Sequence, residues 1–384
     1  MKVGIVVDEM IQGGFQRVAL METIELNKYK NTEAHLVVLK KSNHIGYQEI
    51  INKNNVTIDF LDNNLPTILK VNFKFPFFAF FSLFHITYPL LLPYFVKNDY
   101  DLYIAHGTYT AFSTIALAKK QRVKAITFIH DSVSYVIKTK YNDQFLGKIK
   151  KIIYPITLFA DKYIINNSYM VLSYRNMINY LSKINCDLNK CVEIKNGCNS
   201  AQKINTKKVN YAIAVTKWDR GKNPAKLINI WKKGKIKTPL KIIGVFEPPS
   251  IKMELQNIIV KEKLQNKIQI IGKVSENKLI NYYKQAKFLI HPFKEAFGLT
   301  ILEAAANGCP VIFTKNSGVK TCFNKNILKY ATNNSLKDNI GAIKKIENLK
   351  KTQYVHLCTQ AHNSSKKYTW GEHSKTIYNI IKCQ

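Results

Sequence analysis

Residues 287–314 read KFLIHPFKEAFGLTILEAAANGCPVIFT, and the order of patterns in that stretch decides the fold. Phe288, Leu289 and Ile290 form a short apolar run that ends at His291-Pro292. After Gly298 the apolar residues recur as Leu299, Leu302, Ala305 and Ala306, the three- and four-residue spacing of a helix face. Asn307-Gly308 supplies a left-handed stop, Pro310 keeps the helix from resuming, and Val311, Ile312 and Phe313 predict a second buried strand. Strand, turn, helix and strand in this order predict parallel pairing in an α/β sheet. The unit also places two acids, Glu295 in the loop before the helix and Glu303 more than one turn inside it. Between them lies a helix N-terminus, whose free N–H groups and partial positive charge suit a phosphate-bearing ligand.

Two glutamates at this separation are common by chance, but set in HPFKEAFGLTILEAAANGCPVI they are not. The segment resembles the signature of the retaining GT-B glycosyltransferases, in particular glycosyltransferase family 4, where Phe-Gly-Leu lies between two glutamates. The resemblance implies an α/β GT-B fold, two Rossmann-like doubly wound domains facing across a cleft. It implies that Glu295 contacts the donor sugar, as a ligand contact rather than a nucleophile, and that Glu303 contacts the ribose of the nucleotide. The amides of Phe297, Gly298 and Leu299 would then support the charge of the leaving diphosphate. No cofactor and no metal are expected, the nucleotide-diphosphate sugar being the donor substrate.

With 384 residues, the chain is too long for one core and suits two α/β domains. The formal charge of +33 invites a nucleic-acid reading. Against it, the basic residues include only four arginines, Arg17, Arg122, Arg175 and Arg220, and base or phosphate recognition favours the planar fork of arginine. A lysine-rich surface fits an anionic membrane leaflet instead, at roughly 1 kcal/mol per well-placed lysine. Seven cysteines stand without a pairing rhythm, as in a reducing cytosol. Cys186, Cys191 and Cys198 are close enough to raise a zinc site, but they lack Cys-x2-Cys spacing and a nearby histidine. The N-terminus lacks the pattern of a signal peptide and predicts a buried strand from residue 3.

That strand, Val3 to Val7, is followed by Gly13-Gly14 and a helical run from Phe15 to Leu26, the opening of a doubly wound domain. A Gly-Gly pair alone signals only a tight turn. Under the family resemblance, Gly13 and Gly14 bring backbone close to the donor phosphates or the acceptor. Strands are predicted at Ala34–Leu39, Val56–Phe60, Asp101–His106 and Lys124–His130. His106 is open to a functional or a core role. For His130 and its neighbour Asp131, the resemblance implies a place in the cleft beside the donor sugar.

The stretch from Phe75 to Val96, FPFFAFFSLFHITYPLLLPYFV, carries no formal charge and is flanked by Lys70, Lys74 and Lys97. Its length permits a membrane span. Pro76, Pro89 and Pro93 interrupt it, however, and spanning would split one sheet across the bilayer. The expectation is an aromatic surface element that dips into the interface through Phe77, Phe78, Phe80, Phe81 and Phe84, with an internal packing helix as the alternative.

From Ala201 to Asn210 the chain is polar and aperiodic, which predicts the linker between a first domain at 1–200 and a second at 211–367. In TKWDRGKNP, Lys217 and Lys222 stand where the family carries Arg and Lys, and Thr216 replaces a usual Gly. Lysine cannot make the bidentate diphosphate contact of arginine, a role open to Arg220. Ser317-Gly318-Val319-Lys320 lacks the glutamate that the family often has there. Tyr368-Thr369-Trp370 begins a closing amphipathic helix, 368–384, expected to pack back on the first domain. The resemblance thus implies a retaining glycosyltransferase that moves a sugar to a glycan or lipid-linked acceptor, cytoplasmic and peripheral on the inner membrane face. The rival from another class is a non-catalytic GT-B partner of a second transferase. Donor base, sugar, acceptor, linkage and oligomeric state do not follow from these patterns.

Overall fold

Continuous apolar runs become two separate parallel sheets. The computed structural model describes residues 1–70, 73, 82–97, 99–140 and 144–382, excluding the side chains of 140, 144–149 and 220. Two compact units emerge, Met1–Lys195 with Trp370–Gln384, and Asn196–Thr369.

The first unit holds β1 (Lys2–Val7), β2 (Glu33–Val38), β3 (Ile58–Phe60), β4 (Leu102–His106), β5 (Lys124–Ile129), β6 (Met170–Ser173) and β7 (Cys191–Glu193). They form a seven-stranded sheet in the order β3-β2-β1-β4-β5-β6-β7. Every pairing is parallel, with Val3 to Val6 opposite Leu102 to Ala105. A reversal of strand order at β1 and β4 makes a switch point, where the carboxyl ends of the strands open a crevice. Helices must cover both faces of such a sheet, and β1, β4 and β5 are accordingly buried almost throughout.

The second unit holds β8 (Val209–Val215), β9 (Leu240–Ile243), β10 (Ile268–Gly272), β11 (Ala286–His291), β12 (Val311–Thr314) and β13 (Ala331–Thr332). Its order is β10-β9-β8-β11-β12-β13, again parallel. The stretch that decided the fold forms as expected: β11, the helix Leu299–Ala306, then β12. Gly308 stops the helix at φ +69°, and a Cβ there would meet Ile204 at 2.8 Å. Its N–H bonds Ala305 O while that of Cys309 bonds Ala304 O, a Schellman stop. The polar stretch 201–210 lies inside this second unit, and its last two residues already pair in β8.

The aromatic segment gives a correction. Phe77, Phe78, Phe80 and Phe81 lie outside the described residues. Phe84 is described, and it is not available to a lipid surface: it is 1% exposed in the core of the first unit. It opens the helix Phe84–Phe95, whose Phe84, Tyr88 and Leu92 share one buried face at helical spacing. Lys40 Nζ sits 5.1 Å from its ring centroid, so the ring also holds a buried cation. Pro89 and Pro93 each remove an intrahelical bond, and burial of that face keeps the element in place despite them. Among the described residues no helix is long and apolar enough to cross a membrane. Phe84→Ala should therefore cost about 3–5 kcal/mol of stability, as for a core aromatic, rather than the roughly 0.5 kcal/mol of a surface change. The denaturant midpoint at constant slope measures it, and an unmoved midpoint would return Phe84 to the surface.

Candidate functional site

In the second unit the predicted residues gather at the carboxyl ends of β8 and β11. After β8 the chain turns through Lys217 and Trp218, whose wholly buried indole donates to Ile243 O at 2.9 Å. Asp219 then caps a 3-10 turn, Arg220–Lys222, by accepting from the Lys222 N–H at 2.9 Å. That turn aims Lys222 Nζ at Glu295 Oε1, and the two form an ion pair. Lys217 pairs with Glu247 instead, so the two lysines that the sequence assigns to one diphosphate have separate partners. The backbone of Arg220 opens the turn, while its side chain lies outside the described residues.

Glu295 has a second neighbour. His291, the last residue of β11 and 2% exposed, places Nε2 3.4 Å from the same Oε1. Burial drives the His291 pKa down from 6.5 to about 4; Glu295 pulls it up and Lys222 pushes it down, so the ring is neutral at neutral pH. Phe297 is buried, its carbonyl accepting from Val319 N–H at 2.7 Å. Gly298 follows at φ +99°, and a Cβ there would meet Ile301 at 2.9 Å, so only glycine starts the helix Leu299–Ala306 in this way. One turn on, Glu303 is 8% exposed and accepts from the Tyr283 hydroxyl at 3.2 Å. The result is a partly buried edge where a carboxylate, a lysine, a neutral imidazole and a helix N-terminus converge.

The first unit carries the other residues. Gly13 precedes the helix Gly14–Leu26 in an extended conformation, where a Cβ would meet Gln16 Oε1 at 2.2 Å, while a Cβ at Gly14 would meet no neighbour. The carbonyl of Gly13 accepts from the Tyr47 hydroxyl at 2.9 Å. Asp131 follows β5, its carbonyl near Thr108 Oγ1 at 3.4 Å. His130 holds the centre of a polar chain. Its Nδ1 is 2.8 Å from the Tyr174 hydroxyl and its Nε2 is 3.1 Å from His106 Nδ1. His106 Nε2 lies 2.8 Å from Glu22 Oε2, and Glu22 Oε1 lies 2.7 Å from His373 Nε2. His373 Nδ1 ends the chain 2.7 Å from Lys195 O. His130 stacks on Phe128 at 4.1 Å between centroids, and burial, with His106 and His373 adding to it, holds its pKa well below the ordinary imidazole value.

Sequence patterns alone missed His291, Tyr283, Tyr174, Glu22 and His373. The position of His291 at the carboxyl end of a strand was a usable signal for it. Glu22 and His373 lie 351 positions apart, and no pattern in the chain connects them. Asp99-Tyr100-Asp101 forms an Asp-x-Asp triplet at the amino end of β4, away from the carboxyl edge. Lys2 engages it there, its amide on Asp101 at 2.7 Å and its Nζ on Asp99 at 2.6 Å. Among the described residues no group of three His, Cys, Asp or Glu side chains is placed to hold a metal.

Residues 199–366, which lie in the second unit, match the family described as glycosyl transferases group 1. No curated protein matches the chain in sequence. Solved structures match its fold over the full length. HepE from Anabaena, in complex with UDP and glucose, superposes with a TM-score of 0.75 at 12% identity, covering 100% of both chains. The sucrose-phosphate synthase of Thermosynechococcus elongatus gives 0.77 at 14% identity, covering 99% of this chain and 98% of that one. WaaG, a glycosyltransferase involved in lipopolysaccharide biosynthesis, gives 0.66 at 11% identity, covering 99% of each. At these identities the likeness shows the fold, two parallel-sheet Rossmann-like domains as in GT-B glycosyltransferases.

The buried neutral imidazoles fix a pH dependence. In the unfolded chain a histidine takes a proton near pH 6.5, whereas folded His291 resists it until about 4. A depressed histidine pKa contributes stability that is full above the unfolded value and lost as pH falls through the folded one. The His291 contribution to stability, read as melting temperature, should be flat above about pH 7 and decline below pH 6.5, the loss being on the order of 3 kcal/mol once pH reaches 4. A His291→Phe variant should show a shallower decline, and an unchanged slope would mean that His291 is not held neutral.

Proposed function

We propose that this protein is a retaining, metal-independent glycosyltransferase of the family 4 type. It takes a sugar from a nucleotide-sugar and passes it to a glycan or lipid-linked acceptor at the cytoplasmic face of a membrane. The observation that carries this reading is the edge formed by Lys222, His291, Glu295 and Glu303 around the N-terminus of Leu299–Ala306. It lies in the region that matches glycosyl transferases group 1.

Each group has a chemical task there. As the bond to the anomeric carbon breaks, negative charge develops on the leaving diphosphate, and fixed donors at that point lower the barrier. Lys222 supplies a cation that exchanges its Glu295 partner for phosphate oxygens, and the helix N-terminus supplies N–H groups. Glu295, released from Lys222, accepts hydrogen bonds from sugar hydroxyls. Glu303 accepts from the ribose, with Tyr283 holding the carboxylate in place. Donor titrations should start with UDP-sugars, since HepE has been solved with UDP-glucose.

Thermal stabilisation across a panel of nucleotide-sugars tests the reading. A ligand at a hundred times its dissociation constant adds about 2.7 kcal/mol, and no response across the panel would favour the non-catalytic rival. Glu303→Ala should raise the donor KM with little change in kcat, because a ribose contact made equally in ground and transition states is uniform binding. Lys222→Ala should lower kcat by about 100- to 1000-fold, as loss of a charge stabiliser does. Near-normal turnover in that variant would leave the phosphate to the helix amides alone.

For the membrane, the helix Gln144–Asn167 offers an exposed apolar surface. Ile152, Ile156 and Phe159 recur at helical spacing and are 73%, 65% and 71% exposed, with Lys151 and Lys162 exposed beside them. An apolar stripe edged by lysines fits an anionic bilayer, the apolar groups entering the interface and the ammonium groups facing lipid phosphates. The six described cysteines are all free, which fits the reducing side of that membrane. The protein should sediment with anionic but not neutral vesicles, and salt should release part of it. Ile156→Glu with Phe159→Glu should abolish sedimentation at unchanged melting temperature, and retention by the double variant would refute this surface.

A further inference from the structure

The five-part chain around His130 is a hydrogen-bonded sequence whose polarity can be worked out from its ends. Glu22 and His106 have no measurable exposure and His373 is 3% exposed, so water cannot exchange into the links. At one end His373 faces Lys195 O through Nδ1 and Glu22 Oε1 through Nε2. A carbonyl and a carboxylate can only accept, so His373 donates from both nitrogens and carries the positive charge that balances Glu22. Burial raises the Glu22 pKa, but its two imidazole partners, each with a ring nitrogen within hydrogen-bond distance of one of its oxygens, outweigh that and hold the group lowered and ionised. His106 also donates to Glu22, through Nε2. A second cation in the same dry site would have no partner, so His106 is neutral and its Nδ1 is a lone pair. That lone pair requires a proton on His130 Nε2, at 3.1 Å, and leaves His130 Nδ1 as an acceptor facing the Tyr174 hydroxyl. Phe128 lies stacked on the His130 ring and Phe15 stands 5.9 Å away.

We infer that Glu22 and His106 are positioning residues that hold His130 as the neutral Nε2–H tautomer, and that His373 of the C-terminal helix supplies the charge on which this depends. His130 Nδ1 is thereby committed to accepting a hydrogen bond from a hydroxyl. Tyr174 provides that hydroxyl here, and a sugar hydroxyl offers the same chemistry to the partly exposed ring. The substrate half of the inference rests on the glycosyltransferase reading. It makes the C-terminal helix Trp370–Lys382 part of the working machinery rather than a brace alone.

Two-bond proton–nitrogen correlations on the full-length protein labelled with 15N-histidine identify each tautomer without any assay of transfer. At neutral pH, His130 and His106 should appear as Nε2–H tautomers and His373 as a cation. His373→Gln keeps one uncharged donor, for Glu22, and removes the charge. Glu22 then draws a second proton onto His106, whose Nδ1–H forces His130 into the Nδ1–H form. In that variant kcat should fall about 10- to 100-fold per folded molecule, with UDP affinity unchanged within about twofold, as for a lost orienting contact. Glu22→Gln makes a second, milder probe. A glutamine amide can accept from His106 and donate to His373, so His130 should keep its tautomer while His373 loses its charge. A wild-type His130 protonated on Nδ1, an unaltered tautomer in His373→Gln, or a flipped tautomer with undiminished kcat would each overturn the assignment. Expected tautomers in a protein that transfers sugar from no donor would overturn the substrate half and the glycosyltransferase reading together, and leave the network itself standing.

Discussion

A carboxylate with no exposed atom, Glu22, is the constraint around which the first unit is arranged. Burying a charge of that size costs several kcal/mol unless matched hydrogen bonds and an opposite charge come with it. The match here comes from three separate pieces of chain. Glu22 lies on the first helix, His106 ends β4, and His373 lies on the last helix. The carboxylate therefore cannot be satisfied until the C-terminal helix has docked beside the first. Around it the apolar contacts set the scale of stability, while the polar chain selects one arrangement of those helices over its neighbours.

The second unit solves a different problem. Its acids and lysines stand at the edge of the sheet, where β8 and β11 release the chain into short turns, and each turn is fixed by a local device. Asp219 caps the turn that carries Lys222, and Gly298 takes a left-handed conformation to start the helix behind Glu295. Preorganisation of this kind lets charged groups face one another before a ligand arrives. Lys222 and Glu295 neutralise each other in the meantime, so the edge holds no unbalanced buried charge.

Several features needed only the sequence. The stretch 287–314 predicted its strand, helix and strand, together with the stop at Asn307-Gly308, because apolar period, glycine and proline act over a few residues. The alternation of strand and helix predicted parallel sheets, since a short crossover helix leaves no other pairing. Glu295, Glu303 and Lys222 were legible as site candidates through the family resemblance of two contiguous segments, and two of the three face each other in the folded chain. The polar run 201–210 looked like a linker because composition reports solvation, and composition does not reveal that its end pairs in a sheet.

Tertiary structure alone decided the rest. An uncharged aromatic run reads alike whether it meets lipid or a protein core, and Phe84 went to the core because Tyr88, Leu92 and Lys40 were there to receive it. Lys217 was separated from Lys222 by the position of Glu247, on a loop that local patterns do not connect to it. The partners of His130 were the least visible of all. Hydrogen bonds act over about 3 Å of space and carry no record in sequence of how far apart their residues lie. The chain specified by its own periodicity where strands and helices would form. Which way a proton points on His130 was settled only when residues from both ends of the chain came to share one buried carboxylate.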